Sequence, residues 1–117
     1  MNSVVIKSIN REKIDRAVDA YTGDLRAKHP EIERIYWFGS WVDGLPSPGS
    51  DVDLCIIISN SEKIMRDRIP EYLPVKFPVG IDLFVYTRGE FEQLAVDHPG
   101  WYKVITSGKE IACRVGN

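Results

Sequence analysis

The first helix is predicted by apolar residues that recur at spacings of three and four: Ile14, Val18, Tyr21 and Leu25. Asn10 is a candidate N-cap for this helix. The helix is expected to end by His29, because Pro30 follows and the residue before a proline disfavours helical geometry. Upstream, residues 4–9 are expected to form a short strand or an extended arm.

Three mainly apolar runs predict strands, over residues 34–38, 51–58 and 79–86, and an edge strand is expected over residues 110–115. The run from Leu54 to Ile58 is apolar without alternation, as expected for a strand that is buried on both faces. Strands that alternate with helices predict an α+β (α/β) fold, in which helices pack on a mixed β-sheet.

Polar residues between the strands predict where the other helices begin. A short helix is expected from Ser40, and a longer one over residues 61–68, capped from within residues 59–61. Thr87 and Glu90 have the spacing of a capping box at the start of a further helix. Helical turns are also expected around residues 101–105 and should end at Gly108.

Composition narrows the class of protein. The 117 residues suit one domain spanning 1–117, with 44% hydrophobic and 27% charged residues. A net charge of −2 gives no strong nucleic-acid signal, and no apolar run has the length of a membrane span. Cys55 and Cys113 lack a metal-binding spacing, which favours reduced thiols in a cytoplasmic protein.

Three aspartates occupy unusual positions in the strand pattern. Asp51 and Asp53 are two residues apart at the start of a strand, so their carboxylates are expected on one face. Asp82 interrupts another apolar run, where a charge is costly unless it has a function. If the two strands are neighbours, the three carboxylates form an oxygen-only site that suits a hard divalent cation such as Mg²⁺.

The alternative for Asp51 and Asp53 alone is a solvated strand entrance, since Ser50 and Asp51 are common turn residues. Gly39 and Ser40, taken alone, are equally consistent with a plain turn at the end of a strand. The position of Asp82 and the spacing between the glycine–serine pair and the aspartates favour a functional site.

This spacing resembles a known family. Gly39-Ser40, ten residues, then Asp51-x-Asp53, followed by Asp82 between Ile81 and Leu83, is similar to the pattern of the DNA polymerase beta-like nucleotidyltransferase superfamily. The closest resemblance is to its minimal nucleotidyltransferase (MNT) branch, and it covers roughly residues 33–87. The resemblance implies Mg²⁺-dependent transfer of a nucleoside monophosphate, most simply AMP from ATP, to an acceptor hydroxyl.

The resemblance also implies roles for individual residues. Asp51 and Asp53 would bridge two magnesium ions. Asp82 would ligate the ion near the acceptor hydroxyl and would help to remove the proton of that hydroxyl. Gly39 would let the backbone approach the triphosphate, and Ser40 would donate to the β- or γ-phosphate. Asp43 departs from the pattern, because family members often carry a basic residue just before the equivalent of Gly44.

Other side chains are considered for nucleotide binding. Four cations, each also consistent with ordinary surface charge, are candidates to offset Asp43: Lys63, Arg66, Arg68 and Lys76. Trp41 lies in the glycine–serine turn and is a candidate to stack on a base or to contact a partner, although neither role is favoured, and Trp37 is expected in the core.

The resemblance implies a protein partner. Larger relatives carry an added substrate domain, and a chain that ends at Asn117 has no room for one, so another protein is expected to supply the acceptor. In the MNT branch the usual partner is a HEPN-domain toxin, which the MNT protein neutralises as its antitoxin by adenylylating a tyrosine. A homo- or hetero-oligomer is therefore expected.

Three alternatives stay open. In the first alternative, which Asp43 favours, the chain is a non-catalytic module that neutralises a partner by docking. Metal-dependent phosphoester hydrolysis would also use a carboxylate cluster, although the glycine–serine turn favours a triphosphate substrate. An α/β domain with coincidental aspartates would leave Asp82 unexplained inside a strand.

Overall fold

The computed structural model describes the backbone of residues 2–44, 46 and 50–112, and the side chains of these residues from Arg11 onward. In this part of the chain there are four strands: β1 (Ile32–Phe38), β2 (Val52–Ile58), β3 (Ile81–Thr87) and β4 (Lys109–Glu110). The helices are α1 (Asn2–Lys28), α2 (Ser40–Asp43), α3 (Met65–Tyr72), α4 (Arg88–Asp97) and α5 (Pro99–Thr106).

The strands form one mixed sheet in the order β3-β2-β1-β4. Strand β1 is antiparallel to both β2 and β4, whereas β2 and β3 run parallel. The sequence prediction of a mixed sheet with helices packed on it is therefore confirmed. Because β2 is an interior strand, its apolar run from Leu54 to Ile58 is almost fully buried, as the unbroken pattern predicts.

Helix α1 covers one face of the sheet with the apolar stripe predicted from its spacing. Its buried residues are Ile14, Val18, Tyr21 and Leu25. They join a core cluster with the side chains that β1, β2 and β3 direct to this face, among them Ile35, Leu54, Ile56, Leu83 and Val85. The other face is covered by α4 and α5 through Phe91 and Ile105, which pack with Phe38, Cys55 and Ile57. The sheet thus separates two apolar cores.

The prediction of a strand or arm over residues 4–9 is wrong, because α1 begins at Asn2 and runs through this segment. Asn10 is consequently an interior helix residue and not an N-cap. The β-branched residues Val4, Val5 and Ile6 favour a strand by intrinsic preference. Adding a residue to an existing helix requires no new nucleus, so extension of α1 overrides that preference.

The helix predicted over residues 61–68 lies four residues further on, as α3. The polar residues before it stabilise a turn instead: Asn60 Oδ1 accepts from Ser61 N at 2.9 Å, and Ser61 Oγ accepts from Lys63 N at 3.1 Å. Helix α3 then continues through Pro70, which cannot donate a helical hydrogen bond. Packing outweighs that loss, because the Arg68 side chain is buried and anchors the helix.

The start of α4 is confirmed as a capping box. Thr87 N donates to Glu90 Oε1 at 2.9 Å, and Glu90 N donates to Thr87 Oγ1 at 3.2 Å.

The edge strand is shorter than predicted, since β4 holds two residues. Residues 113–115 of the predicted strand, including Cys113, lie outside the described residues. Burial raises the pKa of the Cys55 thiol to about 12. No described helix is both long and apolar enough to span a membrane.

Candidate active site

Parallel pairing of β2 and β3 brings two of the predicted acids side by side. Asp53 and Asp82 are direct partners in the register of the two strands, and Asp53 is also the partner of Phe38 on β1. Residues at the same level on neighbouring strands share a face of the sheet. Both acids therefore lie on the face covered by α4 and α5, at the end of the sheet where β2 and β3 begin.

The carboxyl groups of Asp53 and Asp82 are close enough to share a hydrogen bond. Burial raises the pKa of Asp53 to about 6, and the charge of Asp82, the hydrogen bond with it and the charge of Asp51 add to the effect. Asp82 is exposed whereas Asp53 is half-buried. The site thus holds one half-buried carboxyl group and one exposed carboxyl group.

The third acid, Asp51, lies just before β2 on the same side. Its Oδ1 occupies space beside Gly80, where an added Cβ would be only 2.3 Å away. The backbone joins the two strands at this point, since Val52 N donates to Gly80 O at 2.9 Å. Asp51 is therefore positioned by the backbone hydrogen bond at which the pairing of β2 with β3 begins.

The glycine–serine turn lies directly against Asp53. Gly39 has φ 93° and ψ −163°, a conformation that is essentially restricted to glycine. A Cβ at this position would lie 2.2 Å from Asp53 Oδ2. Ser40 then begins α2, whose N–H groups at Val42 and Asp43 donate to Gly39 O at 3.1 and 3.0 Å. Glycine is thus required both by the backbone angle and by the carboxylate that fills the space beside it.

Trp41 holds the turn in place, a role that the sequence analysis did not assign. Its side chain is buried, and its Nε1 donates to Ser50 O at 2.7 Å, which joins α2 to the residue before Asp51. Arg11 on α1 donates to Trp41 O at 2.6 Å. Trp41 is therefore a core residue that connects the two halves of the site and has no free ring face for a nucleobase.

The residues fit a divalent cation by their chemistry. Three carboxylates lie at one end of two strands, and repulsion between them contributes to the raised pKa of Asp53, which a cation would relieve. As their side chains stand, no group of three acidic, histidine or cysteine residues in the described part of the chain is arranged to hold a metal ion. A cation held by all three acids would therefore require a rearrangement of their side chains.

Two of the cations considered for phosphate binding are engaged elsewhere. Lys63 forms an ion pair with Glu71. Arg68 is buried and donates to both carboxylate oxygens of Glu90, at 2.6 and 2.9 Å, and to Val85 O at 3.0 Å. Arg68 is therefore a structural residue that joins α3 to β3 and α4.

A cavity of about 340 Å³ lies beside the glycine–serine turn, between α2 and α5. Its lining includes Phe38, Gly39 and Asp43 from one side and Lys103 from the other. A larger cavity of about 570 Å³ is lined by Trp37 and α1 residues on the opposite face of the sheet, away from the acids. We assign the cavity of about 340 Å³ to the site, because Gly39 lines it and also lies against Asp53 Oδ2.

Comparisons with known proteins agree with this geometry. The family model of the nucleotidyltransferase domain matches residues 18–111, a span that contains the glycine–serine turn and all three acids. No curated protein matches the chain at a significant level. Among solved structures, the chain is similar to a "putative nucleotidyltransferase" from Sulfolobus solfataricus, with 20% sequence identity and a TM-score of 0.57. That match covers 71% of this chain and 75% of the other, and it bears on the fold alone.

Proposed function

The chain belongs to the nucleotidyltransferase domain family, and on that premise we propose that it is a minimal nucleotidyltransferase that transfers AMP from ATP to an acceptor hydroxyl group. One observation supports this proposal above the others. Asp53 and Asp82 are in register on parallel strands, and Asp53 Oδ2 fills the space beside Gly39. A pair of acids is thereby held against a turn whose backbone a phosphate chain can approach.

In the proposed reaction the acceptor oxygen forms a bond to the α-phosphorus of ATP. The bond from that phosphorus to the oxygen bridging to the β-phosphate breaks, and pyrophosphate leaves. Asp82 accepts the proton of the acceptor hydroxyl, and because it is exposed it returns that proton to solvent. Gly39 and Ser40 hold the β- and γ-phosphates in line with the leaving direction.

Magnesium ions, when bound by Asp51, Asp53 and Asp82, would neutralise the negative charge between the carboxylates and the phosphates. The half-buried Asp53 is suited to fix this arrangement, since its side chain is confined by Gly39 on one side and Asp82 on the other. Ser40 is only partly buried and stands at the start of α2, where its hydroxyl is accessible to a phosphate oxygen.

We propose that the acceptor is a tyrosine of a partner protein, a HEPN-type toxin for which this chain is the antitoxin. The position of Asp82 supports an acceptor of this size. Strand β3 lies at one edge of the sheet, and Asp82 is exposed on it. A hydroxyl carried on a folded protein can therefore reach this acid without entering a closed pocket.

The test is a labelling experiment with the full chain, magnesium, α-labelled ATP and the protein encoded by the adjacent gene. Label is expected on a tyrosine of that protein and should be lost with Asp53→Asn. Asp67→Asn is the matched control, because Asp67 is an exposed acid on α3, and it should label like the wild type. Absence of label on any protein, beside a nucleotidyltransferase that works under the same conditions, would refute the transfer reaction.

A second candidate is a docking module that neutralises its partner without chemistry. Asp43 favours it, because a carboxylate that lines the cavity beside Gly39 opposes a triphosphate. Co-expression separates the two candidates. Asp53→Asn should abolish neutralisation by an enzyme while the partner still co-purifies, whereas a docking module would neutralise its partner as well as before.

A further inference from the structure

We propose that Lys103, on α5, supplies the cation that binds the triphosphate, in opposition to Asp43. This inference rests on the proposed function and names a nucleotide-binding residue that the sequence pattern does not contain. Lys103 lies 64 residues beyond Gly39 in the chain, yet both line the cavity of about 340 Å³ beside the turn. Among the described residues that line the cavity, Lys103 is the cation and Asp43 is the anion.

The contact between α5 and the end of β1 explains how Lys103 reaches the turn. Gly108 follows α5 and lies so close to β1 that an added Cβ would be 2.4 Å from Trp37 O. In the same region Trp101 packs edge-on to Phe38, with ring centroids 5.5 Å apart. Phe38 precedes Gly39 and also lines the cavity. These contacts fix the side of α5 that carries Lys103 next to the glycine–serine turn.

The Lys103 side chain is available for a ligand. It is exposed, and within the described residues it makes no ion pair, unlike the cations Lys63 and Arg68. Gly39 lines the cavity and also lies against Asp53 Oδ2, so it connects the cavity to the acids. A triphosphate held at the turn would therefore place anionic oxygens in the cavity that Lys103 lines. An ammonium group on a flexible stem is suited to bind them as a point charge.

The experiment measures dissociation constants for Mg-ATP and for AMP at fixed salt concentration. Lys103→Met is expected to weaken Mg-ATP binding about tenfold or more and AMP binding less than threefold, because AMP lacks the β- and γ-phosphates. Lys103→Arg should stay near wild type. Lys109→Met is the matched control, since Lys109 is exposed on β4 and lines the cavity on the opposite face, and its Mg-ATP binding should stay within twofold of wild type.

Asp43→Asn gives an independent readout, because removal of a repulsive charge from the cavity should tighten Mg-ATP binding at least threefold. Lys103 also lies in the last turn of α5, where a cation favours the helix dipole. If that were its whole role, Lys103→Met would lower the melting temperature and leave the Mg-ATP constant unchanged, and the inference would be overturned while transfer by the wild type still stood. A wild-type chain that binds no Mg-ATP would overturn the proposed function and this inference together.

Discussion

The indole Nε1 of Trp41 donates a hydrogen bond of 2.7 Å to the carbonyl oxygen of Ser50. This bond connects the glycine–serine turn to the residue before Asp51, across the loop that separates them in sequence. The ring is buried in the core on the α1 side. One side chain therefore contributes to stability and sets the distance between the two parts of the candidate site.

Trp41→Phe should weaken Mg-ATP binding and lower stability, because the turn loses this connection. Trp37→Phe is the matched control: Trp37 is equally buried, but its Nε1 has no hydrogen-bond partner in the described structure. Urea unfolding should give Trp41→Phe an additional loss of about 1 kcal/mol relative to the control. Equal nucleotide binding by the two variants would contradict the role assigned to Trp41.

Gly39→Ala should abolish Mg-ATP binding and destabilise the protein by about 1–3 kcal/mol, the cost of a strained backbone angle, with a clash against Asp53 in addition. Gly44→Ala should show the cost of the backbone angle without the cost of a clash. Gly44 also has a positive φ, of 87°, but no atom lies within 4 Å of an added Cβ.

A double-mutant cycle measures the clash directly. Adding Asp53→Ala to Gly39→Ala removes the carboxylate and should recover part of the lost stability, measured by urea unfolding. Additive losses in the double variant would show that Asp53 does not occupy the space beside Gly39.

The raised pKa of Asp53 predicts a pH-dependent stability of the metal-free protein. Because the pKa rises from the ordinary 3.8 to about 6 on folding, the stabilising contribution is complete below pH 3.8 and is lost as the pH rises through 6. With a chelator present, Asp53→Asn should therefore be more stable than wild type at pH 8, by on the order of 1 kcal/mol, because solvent screens part of the effect at this half-buried group. The difference should shrink as the pH falls to 4.

Urea unfolding of wild type and Asp53→Asn across this pH range is the measurement. Asp67→Asn controls for the loss of one negative charge at an exposed position. A stability difference that is the same at pH 4 and pH 8 would rule out the environment described for Asp53. Magnesium should stabilise the wild type more than Asp53→Asn at pH 8, if the carboxylates bind it as proposed.

Arg68→Met should destabilise the protein by about 2 kcal/mol or more, because it leaves Val85 O and the Glu90 carboxylate without their shared donor. Nucleotide binding by the folded protein should not change, since Arg68 is a structural cation. Arg66→Met is the control: Arg66 is mostly exposed, and its loss should change stability by less than about 0.5 kcal/mol. Weaker Mg-ATP binding by folded Arg68→Met would return Arg68 to the list of phosphate-binding candidates.

Local patterns predicted the parts of this molecule that depend on side-chain periodicity. The buried face of α1 followed from apolar spacing, and the capping box of α4 followed from Thr87 and Glu90. The proximity of Asp53 and Asp82 was expected only if their two strands were neighbours, and the parallel pairing of β2 with β3 meets that condition. The two helix features were predictable because a buried helix face and a capping box involve residues only a few positions apart in the chain.

Features that depend on long-range packing did not follow from the sequence. The register of α3 is set by Arg68 and its contacts with β3 and α4, so the polar residues before the helix were misleading. The buried position of Trp41 depends on an acceptor at Ser50, and the position of Lys103 depends on how closely the chain after α5 approaches β1. None of these contacts leaves a periodic signal in the chain.

The register between β2 and β3 determines where Asp53 and Asp82 lie relative to each other. Side chains alternate sides along β3, so a slip of one residue would carry Asp82 through the sheet to the α1 side and turn Leu83 and Val85 out of their core. Such a slip would break a large apolar cluster, and the same penalty that protects the fold keeps the two acids aligned. A mutation deep in that cluster can therefore misalign the acids while it touches neither of them.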